Sequence, residues 1–214
     1  MSRRGVGGGP GSRSRKLPLA FYRNPDPVAA ARAFLGKRLV VVTPEGRCAG
    51  IVTETEAYGG AEDQACHGYG HRRTARTETL FSAGGVAYVY LCYGLHFMLN
   101  FVTGPVDHPM ATLLRGVRIT EGKDLVARRR KGIPEARWAD GPGKIGTAFG
   151  LTRADDGQPL HGEKAVRLWL EETGLRPRTV KTGPRVGVDY AGEEWAAKPW
   201  RFLWRPEDDG ITLP

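Results

Sequence analysis

The chain has 214 residues, 40% of them hydrophobic, so its length and composition fit one globular domain with a substantial core. Its 32 Lys and Arg residues outnumber its 23 Asp and Glu residues, for a net charge of +9. This balance favours nucleic acid as a partner, with a merely basic soluble protein as the alternative. No apolar run approaches the roughly 20 residues that span a bilayer, and the basic N-terminus lacks the apolar segment of a secretory signal. We therefore expect a cytoplasmic protein with no membrane partner.

The cysteines Cys48, Cys66 and Cys92 are odd in number, widely separated and without CxxC spacing. This pattern argues against a disulfide framework, a zinc ribbon or an iron–sulfur cluster.

The N-terminal segment MSRRGVGGGPGSRSRK consists mainly of Gly, Ser and Arg and has almost nothing to bury. We predict a disordered basic arm over residues 1–16 and a folded domain over residues 17–214. Asp26 as N-cap, followed by Pro27, predicts a helix that ends before Gly36. RLVVVT, a turn at Pro-Glu-Gly and a further β-branched run then predict a β-hairpin.

The second strand of this hairpin opens the segment GIVTETEAYGGAEDQACH, residues 50–67. Period-2 alternation places Glu54 and Glu56 on one face, where two like charges disfavour joint ionisation. The strand then breaks at Gly59-Gly60 and carries Tyr58, Asp63 and His67 into a loop, so that a carboxylate, a phenol and an imidazole lie within a dozen residues, the groups of a general-base site. The alternative is an exposed strand carboxylate at Glu56 and a loop histidine that bonds its own backbone.

The next segment, GYGHRRTARTET at residues 68–79, has no apolar period and predicts an exposed cationic loop. Its charged members are His71, Arg72, Arg73 and Arg76. Arginines that follow a carboxylate site are well placed to hold a phosphate; a solvated loop is the alternative.

Residues 86–100, VAYVYLCYGLHFMLN, have the pattern of two strands joined by a two-residue turn at Tyr93-Gly94. Alternation places Tyr88 and Tyr90 on one face. An aromatic residue at a hairpin tip is difficult to explain by core packing, because the tip is the part farthest from the core. The alternative has Tyr93 folded back over its own hairpin.

The apolar strand ATLLRGV contains Arg115, and an arginine in such a strand indicates a nearby carboxylate or phosphate. A helix is predicted from about residue 121 to residue 130. Lys144 lies in GPGKIGTAFG, a Gly-rich turn into a helix, where it could hold a phosphate. Further short strands are predicted at residues 165–170, 184–188 and 201–204.

Two of these segments, ETEAYGGAEDQACH and YVYLCYGLHFMLN, together closely resemble the 3-methyladenine (alkyladenine) DNA glycosylase family. The resemblance covers about residues 21–204 and includes LLRG, GPGKIGTAFG and PRVGVDYAGEEWAAKPWRF. It implies one compact mixed α/β (α+β) domain with a curved antiparallel sheet and a protruding β-hairpin. It also implies base excision repair: hydrolytic removal of alkylated or deaminated purines from double-stranded DNA, in the class of 3-methyladenine, 7-methylguanine, hypoxanthine and ethenoadenine.

Carried over position by position, the resemblance implies that Glu56 activates the attacking water and that Arg115 lies near that water. The pocket around the flipped base would be formed by Tyr58, His67 and Tyr90, with Asn100 as a gatekeeper beside it. Tyr93 would be the wedge that enters the minor groove in place of the base. The phosphate contacts would come from Arg72, Arg73 and Lys144.

No lysine falls within either central segment, so we expect a monofunctional enzyme rather than a lyase. We expect it to need no metal or other cofactor and to act as a monomer, associated with the nucleoid if the source is bacterial. His96 stands where the family has an aromatic residue and Cys66 where it has a small one, which bears on the preferred base.

Two other functions remain as alternatives. A zinc hydrolase would use His67 and His71 with an acidic ligand, but the glycines between them disfavour the helix that this spacing requires. A non-catalytic DNA- or RNA-binding module would explain the charge and the aromatic residues, but not a glutamate inside the binding surface.

Overall fold

The computed structural model of the protein describes residues 16–162 and 166–213. Within those ranges the helices are α1 (Leu19–Tyr22), α2 (Pro27–Phe34), α3 (Lys123–Arg129), α4 (Pro142–Phe149) and α5 (Gly192–Ala197). The strands are β1 (Arg38–Thr43), β2 (Gly46–Tyr58), β3 (Ala87–Cys92), β4 (His96–Val102), β5 (Ala111–Glu121), β6 (Leu168–Glu171), β7 (Val180–Gly183) and β8 (Arg201–Trp204). Residues 1–15 of the predicted arm lie outside the described residues, so the arm stays a prediction; Lys16 forms a bridge with Glu171.

The strands form one antiparallel sheet in the order β3-β4-β5-β2-β1-β6, with β8 beside β2 and β7 beside β8. The central strand β2 pairs with β1 through its first half and with β8 through its second half, while β5 follows its other edge. Register shifts against β5 at Val52–Thr55 place bulges where the strand carries its carboxylates, and bulges bend a strand. The predicted mixed α/β domain with a curved antiparallel sheet is confirmed.

Helix α4 packs directly on β4, below the hairpin that β3 and β4 form. A Cβ added to Gly146 would lie 2.1 Å from the carbonyl oxygen of Phe97, a distance that excludes every residue except glycine. The fully buried Ile145, Ala148 and Phe149 of this helix belong to the main core. Because Phe97 is close to the turn, the helix supports the hairpin near its tip end by close backbone contact.

Most predicted elements are observed within a residue or two of their predicted bounds. Asp26 caps α2 through its carboxylate, which accepts the N–H groups of Val28 at 2.9 Å and Ala29 at 3.0 Å. The predicted helix at 121–130 begins later, at Lys123, because Gly122 adopts a φ of 74°.

The predicted strand at 184–188 is wrong, since this segment follows β7 without regular structure. Its residues turn away from the sheet to reach buried partners: the side chain of Arg185 bonds Asp63, and the N–H of Val186 bonds Glu56. The predicted strand at 165–170 is observed from Leu168 to Glu171; Ala165 lies outside the described residues.

Candidate active site

A cavity of about 530 Å³ opens beside the β3-β4 hairpin. Its walls include six of the predicted site residues, Tyr58, His67, Tyr90, Tyr93, Asn100 and Arg115. They come from the end of β2, the loop after it, the hairpin and β5, so the fold brings separate sequence segments together at one place. Glu56 lies immediately behind this wall with no solvent-exposed surface.

Three donors surround the Glu56 carboxylate. Its Oε1 accepts the backbone N–H of Val186 at 2.8 Å and lies 3.3 Å from Nε of Arg115. Its Oε2 accepts the hydroxyl of Tyr58 at 3.0 Å. The alternative of an exposed strand carboxylate is therefore wrong.

Burial raises the pKa of Glu56 above its ordinary value, and this effect outweighs the nearby Arg115 charge and the hydrogen bonds, which lower it. The carboxylate thus binds a proton more readily than an exposed glutamate, as a general base requires.

The second carboxylate of β2 has a different environment. Oε1 of Glu54 accepts Nε of Arg115 at 3.2 Å and lies 3.1 Å from Nε of Arg201. Arg115 consequently bridges Glu54 and Glu56, and it meets the nearby carboxylate that its position in an apolar strand indicated.

A fully buried ion pair, Asp63–Arg185, lies beneath the cavity. Nη2 of Arg185 donates to Oδ1 of Asp63 at 2.9 Å, and the guanidinium also donates to the carbonyl oxygens of Ala57 at 3.0 Å and Trp195 at 3.2 Å. Its central carbon lies 4.9 Å from the ring centroid of Tyr58, in cation–π contact.

The Asp63 carboxylate also closes its own loop, since it accepts the N–H groups of Gly59 at 2.9 Å and Ala65 at 3.0 Å. Sequence reasoning placed Asp63 in this loop but missed its pairing with Arg185 and the N–H of Val186. The PRVG segment carried a usable signal in its lone arginine between apolar residues, but its partner is 122 positions away.

Aromatic side chains form one wall of the cavity. Nδ1 of His67 lies 3.0 Å from the hydroxyl of Tyr88, and the centroids of His67 and Tyr90 are 4.7 Å apart. Burial lowers the pKa of His67 to about 4, so its imidazole is neutral at neutral pH. The buried amide of Asn100 donates to the carbonyl of Tyr88 at 3.1 Å. The alternative of a loop histidine bonded to its own backbone is not observed.

Tyr93 stands at the tip of the hairpin with 91% of its surface exposed. Tyr93 and Gly94 both have positive φ values, 51° and 68°, and the N–H of Leu95 bonds the carbonyl of Cys92 at 3.0 Å. Because Cys92 pairs with His96, three residues rather than the predicted two join the strands. Leu95 beside them is 75% exposed. Tyr93 is therefore not folded back over the hairpin.

The three residues predicted to contact phosphates differ in their surroundings. Arg73 donates to both carboxylate oxygens of Glu78, at 2.9 and 2.7 Å, and to Asp107 at 2.7 Å. Lys144 bonds Asp140 at 2.7 Å. In the part of the chain that the structure describes, Arg72 is exposed and takes part in no ion pair. The phosphate contacts stay predictions.

Within residues 16–162 and 166–213, no three His, Cys, Asp or Glu side chains group as metal ligands. His67 faces Tyr88 and Tyr90, and His71 is exposed on the loop. Among the described helices, none combines the length and apolarity that crossing a membrane takes.

The sequence profile of the methylpurine-DNA glycosylase family matches residues 20–208. A protein of Bacillus licheniformis is 42% identical over 186 residues, which cover 87% of this chain and 91% of the relative. One of Chlamydia pneumoniae is 39% identical over 196 residues, covering 90% and 97%, and one of Bacillus subtilis is 40% identical over 186 residues, covering 87% and 91%. All three carry the name of candidate 3-methyladenine DNA glycosylases.

Replacing Asp63 with asparagine should destabilise the fold strongly, because it leaves the buried Arg185 guanidinium without a counter-charge. Removing one partner of a buried pair costs about 3–5 kcal/mol. Urea unfolding measures this loss. The matched control is Glu207→Gln, which removes one partner of the exposed Arg118–Glu207 pair and should cost at most ~1 kcal/mol. Equal unfolding midpoints for the two variants would contradict the role given to the buried pair.

Proposed function

The chain belongs to the methylpurine-DNA glycosylase family, enzymes that hydrolyse N-glycosidic bonds in DNA, and from this premise we propose how its cavity acts. Glu56 activates a water that displaces a damaged purine from its deoxyribose after the nucleotide has turned out of double-stranded DNA. The observation that carries this proposal is a fully buried carboxylate, held by Arg115, Tyr58 and Val186, directly behind an aromatic cavity.

Access to the bond requires that the nucleotide leave the helix, at a cost of a few kcal/mol for lost stacking and pairing. The exposed ring of Tyr93 would enter the minor groove and fill the gap. Stacking on an aromatic side chain is worth about 1–3 kcal/mol per base, which offsets part of the cost. The turned-out purine then stacks on Tyr90 and His67.

In the chemical step the bond between sugar carbon and base nitrogen breaks, and the base leaves with the electron pair. Positive charge grows on the sugar, where ionised Glu56 stabilises it. Water attacks the sugar carbon and gives its proton to the carboxylate. Oε2 of Glu56 is the better acceptor, because it accepts only the hydroxyl of Tyr58 while Oε1 faces two donors.

The proposed substrates are 3-methyladenine, 7-methylguanine, hypoxanthine and ethenoadenine in duplex DNA. Stacking on the aromatic wall retains both cationic and neutral purines. The neutral His67 imidazole offers one hydrogen-bond donor or acceptor according to its tautomer. The phosphates on either side would meet Arg72, Arg73 and Lys144, with the enzyme acting as a cytoplasmic monomer.

Replacing Glu56 with glutamine should leave duplex binding largely intact and remove base release almost entirely. Glutamine neither takes a proton nor offsets positive charge at the sugar. Loss of a general base alone lowers a rate about 10²–10⁴-fold. Single-turnover release of hypoxanthine measures the effect. Glu54→Gln, which changes the neighbouring carboxylate beside Arg115, is the control. If Glu54→Gln abolished release while Glu56→Gln did not, Glu54 rather than Glu56 would be the general base.

As the pH is lowered, the single-turnover rate should begin to decrease at a pH above the ordinary glutamate pKa of about 4.3. Burial raises the pKa of Glu56, so its ionised fraction decreases as the pH drops through that raised value. Hypoxanthine is the suitable lesion because it is neutral. Arg115→Gln removes a charge that lowers the pKa of Glu56 and should move the acid limb upward, whereas the exposed Arg118→Gln should not. If the rate decreased only at or below the ordinary glutamate pKa, Glu56 would not be the general base.

Tyr93→Ala should leave the melting temperature nearly unchanged, because substitutions at exposed sites alter stability by about 0.5 kcal/mol at most. The flipped population should decrease roughly ten- to a hundred-fold, since stacking of the ring is lost. Fluorescence of 2-aminopurine beside the lesion reports the flip. The loss of flipped population should be smaller when the lesion lies opposite a mismatch. If the Tyr93→Ala protein flips and cleaves normally, Tyr93 is not the wedge.

A further inference from the structure

Arg76 occupies a position in the cavity that neither the stacking wall nor the Glu56 site explains. Its guanidinium carbon lies 5.1 Å from the ring centroid of Tyr90, in cation–π contact. Its side chain also lines a second cavity of about 540 Å³, which shares His67, Cys66 and Tyr190 with the first. The guanidinium therefore lies at the partition between the two cavities, on the ring proposed to stack on the purine.

The charge of Arg76 has no counter-ion among the described residues. The neighbouring Arg73 is tied to Glu78 and Asp107, and Arg115 to Glu54 and Glu56, but no ion pair within 16–162 and 166–213 includes Arg76. The positive charge of Arg76 also acts on the wall of the first cavity. Burial is the larger cause that lowers the pKa of His67, and the Arg76 charge lowers it further.

A cationic guanidinium on an aromatic face changes what that face selects. The ring of Tyr90 attracts positive charge through its π-electrons, and Arg76 already supplies that charge. An alkylated purine with a positive charge would gain less from the ring and would be repelled by the guanidinium. A neutral purine suffers no such repulsion, and its ring nitrogen and carbonyl oxygen can accept the guanidinium's hydrogen bonds.

We infer that Arg76 is a specificity-determining residue, which shifts this cavity from cationic alkylated purines towards neutral purines that carry hydrogen-bond acceptors. This inference rests on the proposed function, because it concerns which bases the same cavity accepts. It follows from the position of one unpaired cation on the stacking ring, and it gives the cationic loop a role inside the cavity.

The test compares release of 7-methylguanine, which is cationic in DNA, with release of hypoxanthine, which is neutral, from duplexes of one sequence. Single-turnover rates at subsaturating enzyme, corrected for spontaneous depurination, give kcat/KM for each base. Arg76→Gln should raise the ratio of 7-methylguanine to hypoxanthine about tenfold. Two unit charges this close would repel more strongly without solvent, but the guanidinium is exposed and partly screened.

Two further variants separate charge from other roles. Arg76→Lys keeps the positive charge and should leave the ratio much nearer that of the unsubstituted protein. Arg72→Gln removes the same charge from the same loop, outside the walls of the first cavity, and should slow both reactions together without moving the ratio.

The outcomes separate failure of the inference from failure of the proposed function. If Arg76→Gln slows both bases alike, as Arg72→Gln does, Arg76 is a phosphate contact and the inference is wrong. If Arg76→Lys moves the ratio as far as Arg76→Gln, planar stacking rather than charge decides and the inference is wrong. If the unsubstituted protein releases neither base nor any of the other proposed purines, the proposed function itself fails and the inference falls with it.

Discussion

The buried Asp63–Arg185 pair is the interaction on which the arrangement of the site depends. It joins the loop after β2 to the segment after β7, two stretches that the sheet alone does not hold together. Arg185 also bonds the carbonyl of Ala57 at the end of β2. Because Val186 is the next residue, fixing Arg185 also fixes the N–H that Val186 directs at Glu56. The orientation of the central carboxylate is thus set by an ion pair that lies outside the cavity.

The charges beside Glu56 are paired. Two carboxylates on β2, Glu54 and Glu56, face two arginines, Arg115 and Arg201, and Arg115 serves both carboxylates. The Arg115 charge lowers the pKa of Glu56, whereas burial and the Glu54 charge raise it. With Glu54 drawing on the same guanidinium, burial prevails and Glu56 stays basic. Glu54 therefore acts on Glu56 through its charge, which is one of the causes that raise the pKa of Glu56.

Sequence reasoning succeeded where the signal was local. The alternation around Glu56 and Tyr90, and the Tyr93-Gly94 pair, each depend on a few neighbouring residues and are observed as elements of the structure. It failed where a contact spans the chain. The segment at 184–188 has the apolar composition of a strand, and only the buried carboxylate of Asp63 explains why its arginine turns inward. A single sequence holds no record of such a pairing.

At the turn of the hairpin tip, backbone stability opposes the proposed wedge role of Tyr93. A β-hairpin turn of this kind is most favourable with Asn-Gly, because asparagine tolerates positive φ better than other side chains. Tyr93, at a φ of 51°, is a poor choice for the backbone and, at 91% exposure, gains nothing from the core. A sequence optimised only for folding would place asparagine there. Selection for thermal stability alone would therefore replace the proposed wedge first, so a stabilised descendant of this protein is best designed with that one position held fixed.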